Sequence, residues 1–219
     1  MLRIHMCEQR SDIWAKVRLG KITASEIHIL LGNGSTKDWI LLRKAFERLT
    51  GRLQQPKIWT PDIQRGIDLE PEAIKLLCDK TGIDFEKIGF LEYDSWSGAS
   101  PDAWKPSLQI GVEAKCPNEE NFLKYLKRKT IRPDHYSQMQ MGMRCGNLKK
   151  YFYVIYCRGY KPIIQEVWRD ERHIAKLNAC IEESKPVIER NMKRIQEIKY
   201  INRCSPYYRK RNSFNWRVA

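Results

Sequence analysis

The sequence predicts an α/β fold, with a central mixed β-sheet flanked by helices. Helix-start and helix-stop residues bracket several long stretches, and β-type segments lie between them. No repeat, low-complexity tract or Pro/Gly/Ser linker divides the chain. An apolar share of 42% supports a packed interior and, with 30% charged residues, excludes a wholly disordered chain. For 219 residues the expectation is one domain over 1–204, followed by a basic, aromatic tail over 205–219.

The elements follow in order. Thr23 and Glu26 stand in capping-box spacing ahead of Ile27, Ile29, Leu30 and Leu31, with Gly32 beyond, so a short helix is expected to begin near Thr23. A second helix is expected from Asp38 to Thr50, stopped by Gly51. Thr60-Pro61 joins a capping hydroxyl to a proline at the first helical position. The helix it starts runs to Gly82, with the stripe Ile63, Ile67, Glu70, Ile74, Leu77. β-type segments follow at Phe85 to Tyr93, Ser97 to Ala99 and Leu108 to Cys116, then helical stretches at Glu119 to Lys129 and Pro133 to Arg144. Strands return at Tyr151 to Tyr156 and Ile163 to Trp168. A long helix from Asp170 to about Tyr200, slightly interrupted at Pro186, completes the order.

Charge narrows the partners. Forty Lys and Arg against twenty-six Asp and Glu leave +14, a surplus that favours polyanions and nucleic acid first among them. No stretch approaches the roughly 20 apolar residues that span a bilayer, and the N-terminus, with Arg3, His5, Glu8 and Arg10, lacks a signal-peptide core. The expectation is a cytoplasmic protein with no membrane association. Seven scattered cysteines without a C-x-x-C pair read as reduced thiols, and the four histidines show no metal-ligand spacing. There is no P-loop, hence no nucleotide-driven motor.

The chemistry lies between residues 70 and 138. In Ile110-Gly111-Val112-Glu113-Ala114-Lys115-Cys116, period-two alternation sends Ile110, Val112, Ala114 and Cys116 to one face and Glu113 and Lys115 to the other. Ser100-Pro101-Asp102 lies just upstream, and together they form the pattern of an Asp, a short hairpin and Glu-x-Lys on the adjoining strand, the PD-(D/E)XK signature. Phosphodiester hydrolysis needs a divalent ion held by carboxylates, an activated water, and a cation near the developing charge. Asp102 and Glu113 would hold metal and Lys115 would position or help deprotonate water. The bare motif is also compatible with a surface hairpin bearing an exposed Glu-Lys pair. Glu70 sits in an otherwise apolar stripe, where an unpaired carboxylate is costly. It needs a shared metal ion or a neighbouring cation such as Arg65. Three converging carboxylates would repel by about 4 kcal/mol per pair at 4 Å and an effective dielectric of 20, so the site should bind a cation or hold a proton.

Five blocks in order carry a resemblance to the phage lambda exonuclease family, the YqaJ-like viral recombinases. They are Arg18-Leu19-Gly20-Lys21-Ile22-Thr23-Ala24-Ser25-Glu26 preceded by Trp14, Arg65-Gly66-x-x-x-Glu70, Gly98-Ala99-Ser100-Pro101-Asp102, Glu113-Ala114-Lys115-Cys116-Pro117, and Tyr136-Ser137-Gln138-Met139-Gln140. The resemblance implies a restriction-endonuclease-like core and a 5′-to-3′ exonuclease acting on linear double-stranded DNA, leaving a 3′ single strand for an annealing protein. It implies one or two Mg²⁺ ions, for which Mn²⁺ would substitute, held by Glu70, Asp102, Glu113 and the Ala114 carbonyl. Lys115 and Gln138 would be catalytic, and Arg18, Ser25 and Ser100 would bind the terminal 5′-phosphate. A homotrimeric ring around DNA is also implied. Two features depart from the family. Ala103 follows Asp102 where relatives often have Gly, and the tail Tyr207-Tyr208-Arg209-Lys210-Arg211 with Phe214 and Trp216 has no counterpart. The competing readings are a structure-specific endonuclease with the same acidic cluster and a non-catalytic DNA-binding or annealing module.

Overall fold

The strands of the expected α/β class form two mixed four-stranded sheets, in a computed structural model that describes residues 2–54, 59–128 and 130–204. The chain runs β1 (Arg3–His5), α1 (Asp12–Arg18), β2 (Ile22–Thr23), α2 (Ile27–Leu30), α3 (Ser35–Thr50), α4 (Pro61–Thr81), β3 (Phe90–Glu92) and β4 (Ser97–Ala99). It continues as β5 (Ala103–Lys105), β6 (Ile110–Lys115), α5 (Glu119–Lys127), α6 (Pro133–Gly146), β7 (Lys150–Ile155), β8 (Ile163–Trp168) and α7 (Glu171–Cys204). The first sheet has the order β1-β3-β4-β2 and the second β5-β6-β7-β8. Residues 100–102 carry the chain from β4 directly into β5, and so join the two sheets.

The second sheet is covered on both faces, as the alternation of β6 requires. Ile110, Val112 and Cys116 pack with Leu69, Ala73, Ile74 and Leu77 of α4 and with Phe152 and Val154 of β7. On the other side Tyr151 and Tyr153 join Met139, Met141 and Met143 of α6 and Leu177 and Ile181 of α7. A Cβ on Gly142 would stand 2.0 Å from the Tyr151 hydroxyl, and one on Gly111 2.4 Å from the same ring. These two glycines let α6 lie close over the sheet, and so bring Gln138 within reach of Glu113.

Five local expectations are corrected by tertiary context. Thr23 pairs in β2, parallel to β4, instead of starting a helix; the helix begins at Ile27 behind Glu26. The capping-box bond survives in part, because Thr23 N–H and Oγ1 both donate to the Glu26 carboxylate. Of the expected Phe85 to Tyr93 strand only Phe90–Glu92 forms, with an isolated bridge from Glu86 to Trp104. Leu108 belongs to a 3-10 turn, and α7 runs through Pro186 unbroken. The stripe on α4 divides: its C-terminal half buries Leu69, Ala73, Ile74 and Leu77, whereas Ile63 is exposed and Ile67 and Glu70 line a cavity. The tail over 205–219 and Lys129 lie outside the described residues. No described helix is long and apolar enough to cross a membrane.

Candidate active site

One cavity of about 540 Å³ gathers every side chain singled out from the sequence, since Arg18, Ser25, Glu70, Ser100, Asp102, Glu113, Ala114, Lys115 and Gln138 all line it. Its parts come from distant elements, held where β4 passes into β5.

At one end lie the acidic groups. Glu113, on β6, is buried, and Gln138 Nε2 donates to its Oε1 at 2.7 Å. Lys115, two residues along the same face, donates to the same oxygen at 2.5 Å and approaches Gln138 Oε1 at 3.4 Å. Asp102 leans on the strand, its Oδ2 accepting the Ala114 N–H at 2.7 Å. Glu70 reaches in from α4 and pairs loosely with Arg10, 3.5 Å away. Arg65, the neighbour offered by the sequence, turns instead to Asp62 at 2.7 Å and the Cys116 carbonyl at 3.3 Å. The three carboxylates therefore share a cavity without meeting at one point, and among the described residues no three His, Cys, Asp or Glu side chains are disposed to share an ion. Each is drawn to its own partner and repelled by the others. The second oxygen of each carboxylate makes no hydrogen bond among the described residues.

The electrostatics match that count of charges. Burial raises Glu70, Asp102 and Glu113 above the ordinary carboxylate range. Glu113 is pushed up to about 8, with Asp102 and Glu70 adding repulsion and Lys115 partly offsetting it. Burial would lower Lys115, but Glu113 and Asp102 outweigh it and hold the ammonium charged. Burial also lifts the Cys116 thiol to about 12, so it stays protonated and is no nucleophile at neutral pH.

The opposite end is cationic and hydroxylic. Arg18 stacks on Trp14, its guanidinium carbon 3.7 Å from the ring centre, and reaches Ser100 Oγ at 3.5 Å. Trp14 Nε1 donates to the same Oγ at 2.9 Å, so Ser100 is fixed from two sides. Ser25 stands 3.3 Å from Thr23 Oγ1 at the cavity rim. Burial lowers Arg18 to about 10, with Glu26 and Glu47 working against it, and leaves it charged at neutral pH. Buried charges anchor this motif from behind. Glu26 pairs with Arg43 and, at 3.0 Å, with Lys44, while Glu47 accepts from the Gly20 N–H at 3.1 Å. Gly20, with φ of 66°, makes the turn that this requires.

Arg10 and His135 also line the cavity, without having been singled out from the sequence. Arg10 gave no motif signal. His135 shows no metal-ligand spacing, yet it sits one helical turn before Gln138 on α6, a spacing that flags it. Its Nδ1 meets the Tyr153 hydroxyl at 2.5 Å, and its ring stacks on Tyr125. Burial, then Lys115, pull His135 down to about 3, so it is neutral. Tyr136, part of a matched block, points away from the site and donates to Asp170 at 2.9 Å. Cys7, Cys78, Cys116, Cys145, Cys157 and Cys180 are free thiols, the last four of them buried.

Known structures resemble this chain in fold. Two solved structures of an alkaline exonuclease, LHK-Exo from Laribacter hongkongensis, are similar to the chain. One has a TM-score of 0.79 at 23% identity, covering 87% of this chain and 98% of that one. The other, in complex with dAMP, has a TM-score of 0.76 at 25% identity, with coverages of 88% and 97%. A phage-related exonuclease from Haemophilus somnus 129PT gives 0.63 at 16% identity, with coverages of 80% and 96%. These likenesses show the fold, a restriction-endonuclease-like α/β core. No curated protein sequence matches the chain. The model of the YqaJ-like viral recombinase domain matches residues 13–149, well over half of the chain. That stretch holds the matched blocks as well as both ends of the cavity, and the chain belongs to the YqaJ-like viral recombinase family, as its lambda-exonuclease-like motifs indicated.

Proposed function

We propose that this chain is a divalent-metal-dependent nuclease that shortens linear double-stranded DNA in the 5′-to-3′ direction from 5′-phosphorylated ends. The observation that carries the proposal is the single cavity with an acidic end and an arginine-hydroxyl end, joined through Ser100-Pro101-Asp102. A volume near 540 Å³ suits one terminal nucleotide.

The donor set fits a hard cation. Glu70, Asp102 and Glu113 supply oxygen ligands, burial raises their pKa values and so makes each costly as a lone charge, and each has an oxygen to spare. These three, with the Ala114 carbonyl, would hold one or two Mg²⁺ ions, or Mn²⁺ in their place, once Glu70 leaves Arg10 and the carboxylates turn toward a common point. When bound, the ion would polarise the phosphoryl oxygen and acidify a water. Gln138 fixes Glu113 in the orientation that coordination needs. Lys115, held charged, orients the water and neutralises charge developing on the phosphorus oxygens, a cationic part rather than a basic one. Arg18 offers a guanidinium fork to the terminal phosphate, and Ser25 and Ser100 add hydroxyl donors. A 5′-phosphate seated there puts the first internucleotide bond toward the carboxylates, so the product is a 5′-mononucleotide and the surviving strand ends 3′. The family resemblance adds a homotrimeric ring and a single-strand annealing protein as partners.

The test is digestion of linear duplex DNA carrying a 5′-phosphate on one strand only, each strand labelled in turn, with Mg²⁺ and with chelator. Metal-dependent loss of the phosphorylated strand, with its complement and a closed circle intact, is the expected result. Cutting of the circle would make the chain an endonuclease on this scaffold, and binding without cutting would make it a DNA-binding module.

A further inference from the structure

Resting on the nuclease reading above, we propose that Arg10 is a DNA-binding residue of this site, a cation held in reserve on Glu70 that passes to a substrate phosphate. Arg10 precedes the stretch matched by the family model, which starts at residue 13. It lines the cavity beside Glu70 and Asp102.

Its backbone is the first clue. Arg10 has φ of 72°, in the left-handed region that a long side chain rarely adopts and that costs strain unless its surroundings impose it. Both neighbours supply that imposition. Gln9 Nε2 donates to the carbonyls of Ile88 at 2.9 Å and Pro101 at 2.8 Å, the second belonging to the residue before Asp102. Ser11 caps α1 through Trp14 N–H at 3.2 Å and donates to the Glu8 carbonyl at 2.6 Å. The segment is thus clamped on either side of Arg10.

The pairing is the second clue. Arg10 Nη2 stands 3.5 Å from Glu70 Oε2, and the arginine side chain is 47% exposed. A long, half-exposed pair of this kind is a weak tether. A role in stability alone would not need a strained backbone to support so loose a contact. The guanidinium keeps most of its five donors for another acceptor, and a phosphodiester is the acceptor this cavity admits. Were Glu70 to hold a divalent cation, Arg10 would be freed for a phosphate in the same cavity.

Arg10→Gly is the informative variant, because glycine accepts this φ without strain and should leave the melting temperature unchanged or raised. Duplex binding is read by fluorescence anisotropy, with Ca²⁺ in place of Mg²⁺, across a salt series. Mn²⁺ binding to the DNA-free protein is read by titration calorimetry. The expected results are about tenfold weaker DNA binding, a salt slope reduced by about one, and Mn²⁺ binding several-fold tighter, since a competing cation is gone. Arg10→Lys should recover part of the DNA affinity. An unchanged affinity and slope would overturn the inference, as would a fall in melting temperature with weaker Mn²⁺ binding, which marks a structural pair. Wild-type protein that neither binds nor cuts DNA would overturn the nuclease reading with it. Wild-type cutting with an Arg10→Gly variant identical in both titrations would remove Arg10 alone.

Discussion

The two ends of the cavity are built in opposite ways. The acidic end stands on the six-residue strand β6, backed by the core beneath α4 on one face and by α6 on the other. The arginine-hydroxyl end stands on the short elements α1, which buries no residue, and β2, whose two residues are buried, with the Glu26, Arg43, Lys44 and Glu47 charges behind them. One end owes its geometry to a six-residue strand packed on both faces, the other to a two-residue strand and buried ion pairs. The proposed function divides along the same line, with hydrolysis at the acidic end and recognition of the DNA end at the other. Ser100 serves one and Asp102 the other, only two residues apart, and this couples the two.

The most drastic way to test that division is Asp102→Asn. It should lower cleavage by about a thousandfold or more while DNA affinity changes by only a few-fold, because the acidic end does the chemistry and little of the binding. Matching losses in binding and cleavage would erase the distinction. Gln138→Ala should cost about ten- to a hundredfold in kcat with KM little changed, the size expected for a residue that orients a metal ligand. A rise confined to KM would move Gln138 to the binding end. Gly142→Ala probes the scaffold instead. A Cβ 2.0 Å from the Tyr151 hydroxyl should destabilise the fold by about 1–3 kcal/mol, seen as a melting temperature lower by several degrees. An unshifted melting temperature would mean that α6 has room to move away from the sheet.

A smaller effect concerns pH. Glu113 is raised to about 8 in the fold, above its ordinary 4.5, so the folded state holds that proton longer. The stability gained from the neutral carboxyl is fully present below pH 4.5 and lost as pH rises through 8. Metal-free protein should therefore melt a few degrees lower at pH 8 than at pH 5.5, and Mg²⁺ should stabilise it more at pH 8, where no proton competes for the ligand. An equal Mg²⁺ shift at both values would place the cation elsewhere.

Much of this was legible in the sequence. The Glu113-x-Lys115 alternation, Asp102 upstream and Glu70 on a capped helix are local patterns, and their periodicity alone puts them on definable faces. What escaped depends on contacts distant in the chain. The Thr23 capping signal loses to two residues of pairing with β4, more than seventy positions away. Glu70 takes its partner from Arg10, sixty residues earlier, rather than from Arg65 one turn before it. His135 acquires its place from Tyr153, on a strand that the sequence places at Tyr151 to Tyr156 but cannot register against α6. The passage of residues 100–102 from one sheet to the next leaves no mark in composition or period.

The central claim is that Arg18 reads the 5′-phosphate in the same cavity where the carboxylates cut. The direct measurement is kcat/KM on linear duplexes that differ only in a 5′-phosphate or a 5′-hydroxyl, for the wild-type chain and for Arg18→Ala. The account predicts a preference of about ten- to a hundredfold for the phosphate in the wild type, collapsing to near unity in the variant. A preference that survives the loss of Arg18, or a wild type indifferent to the phosphate, would contradict it.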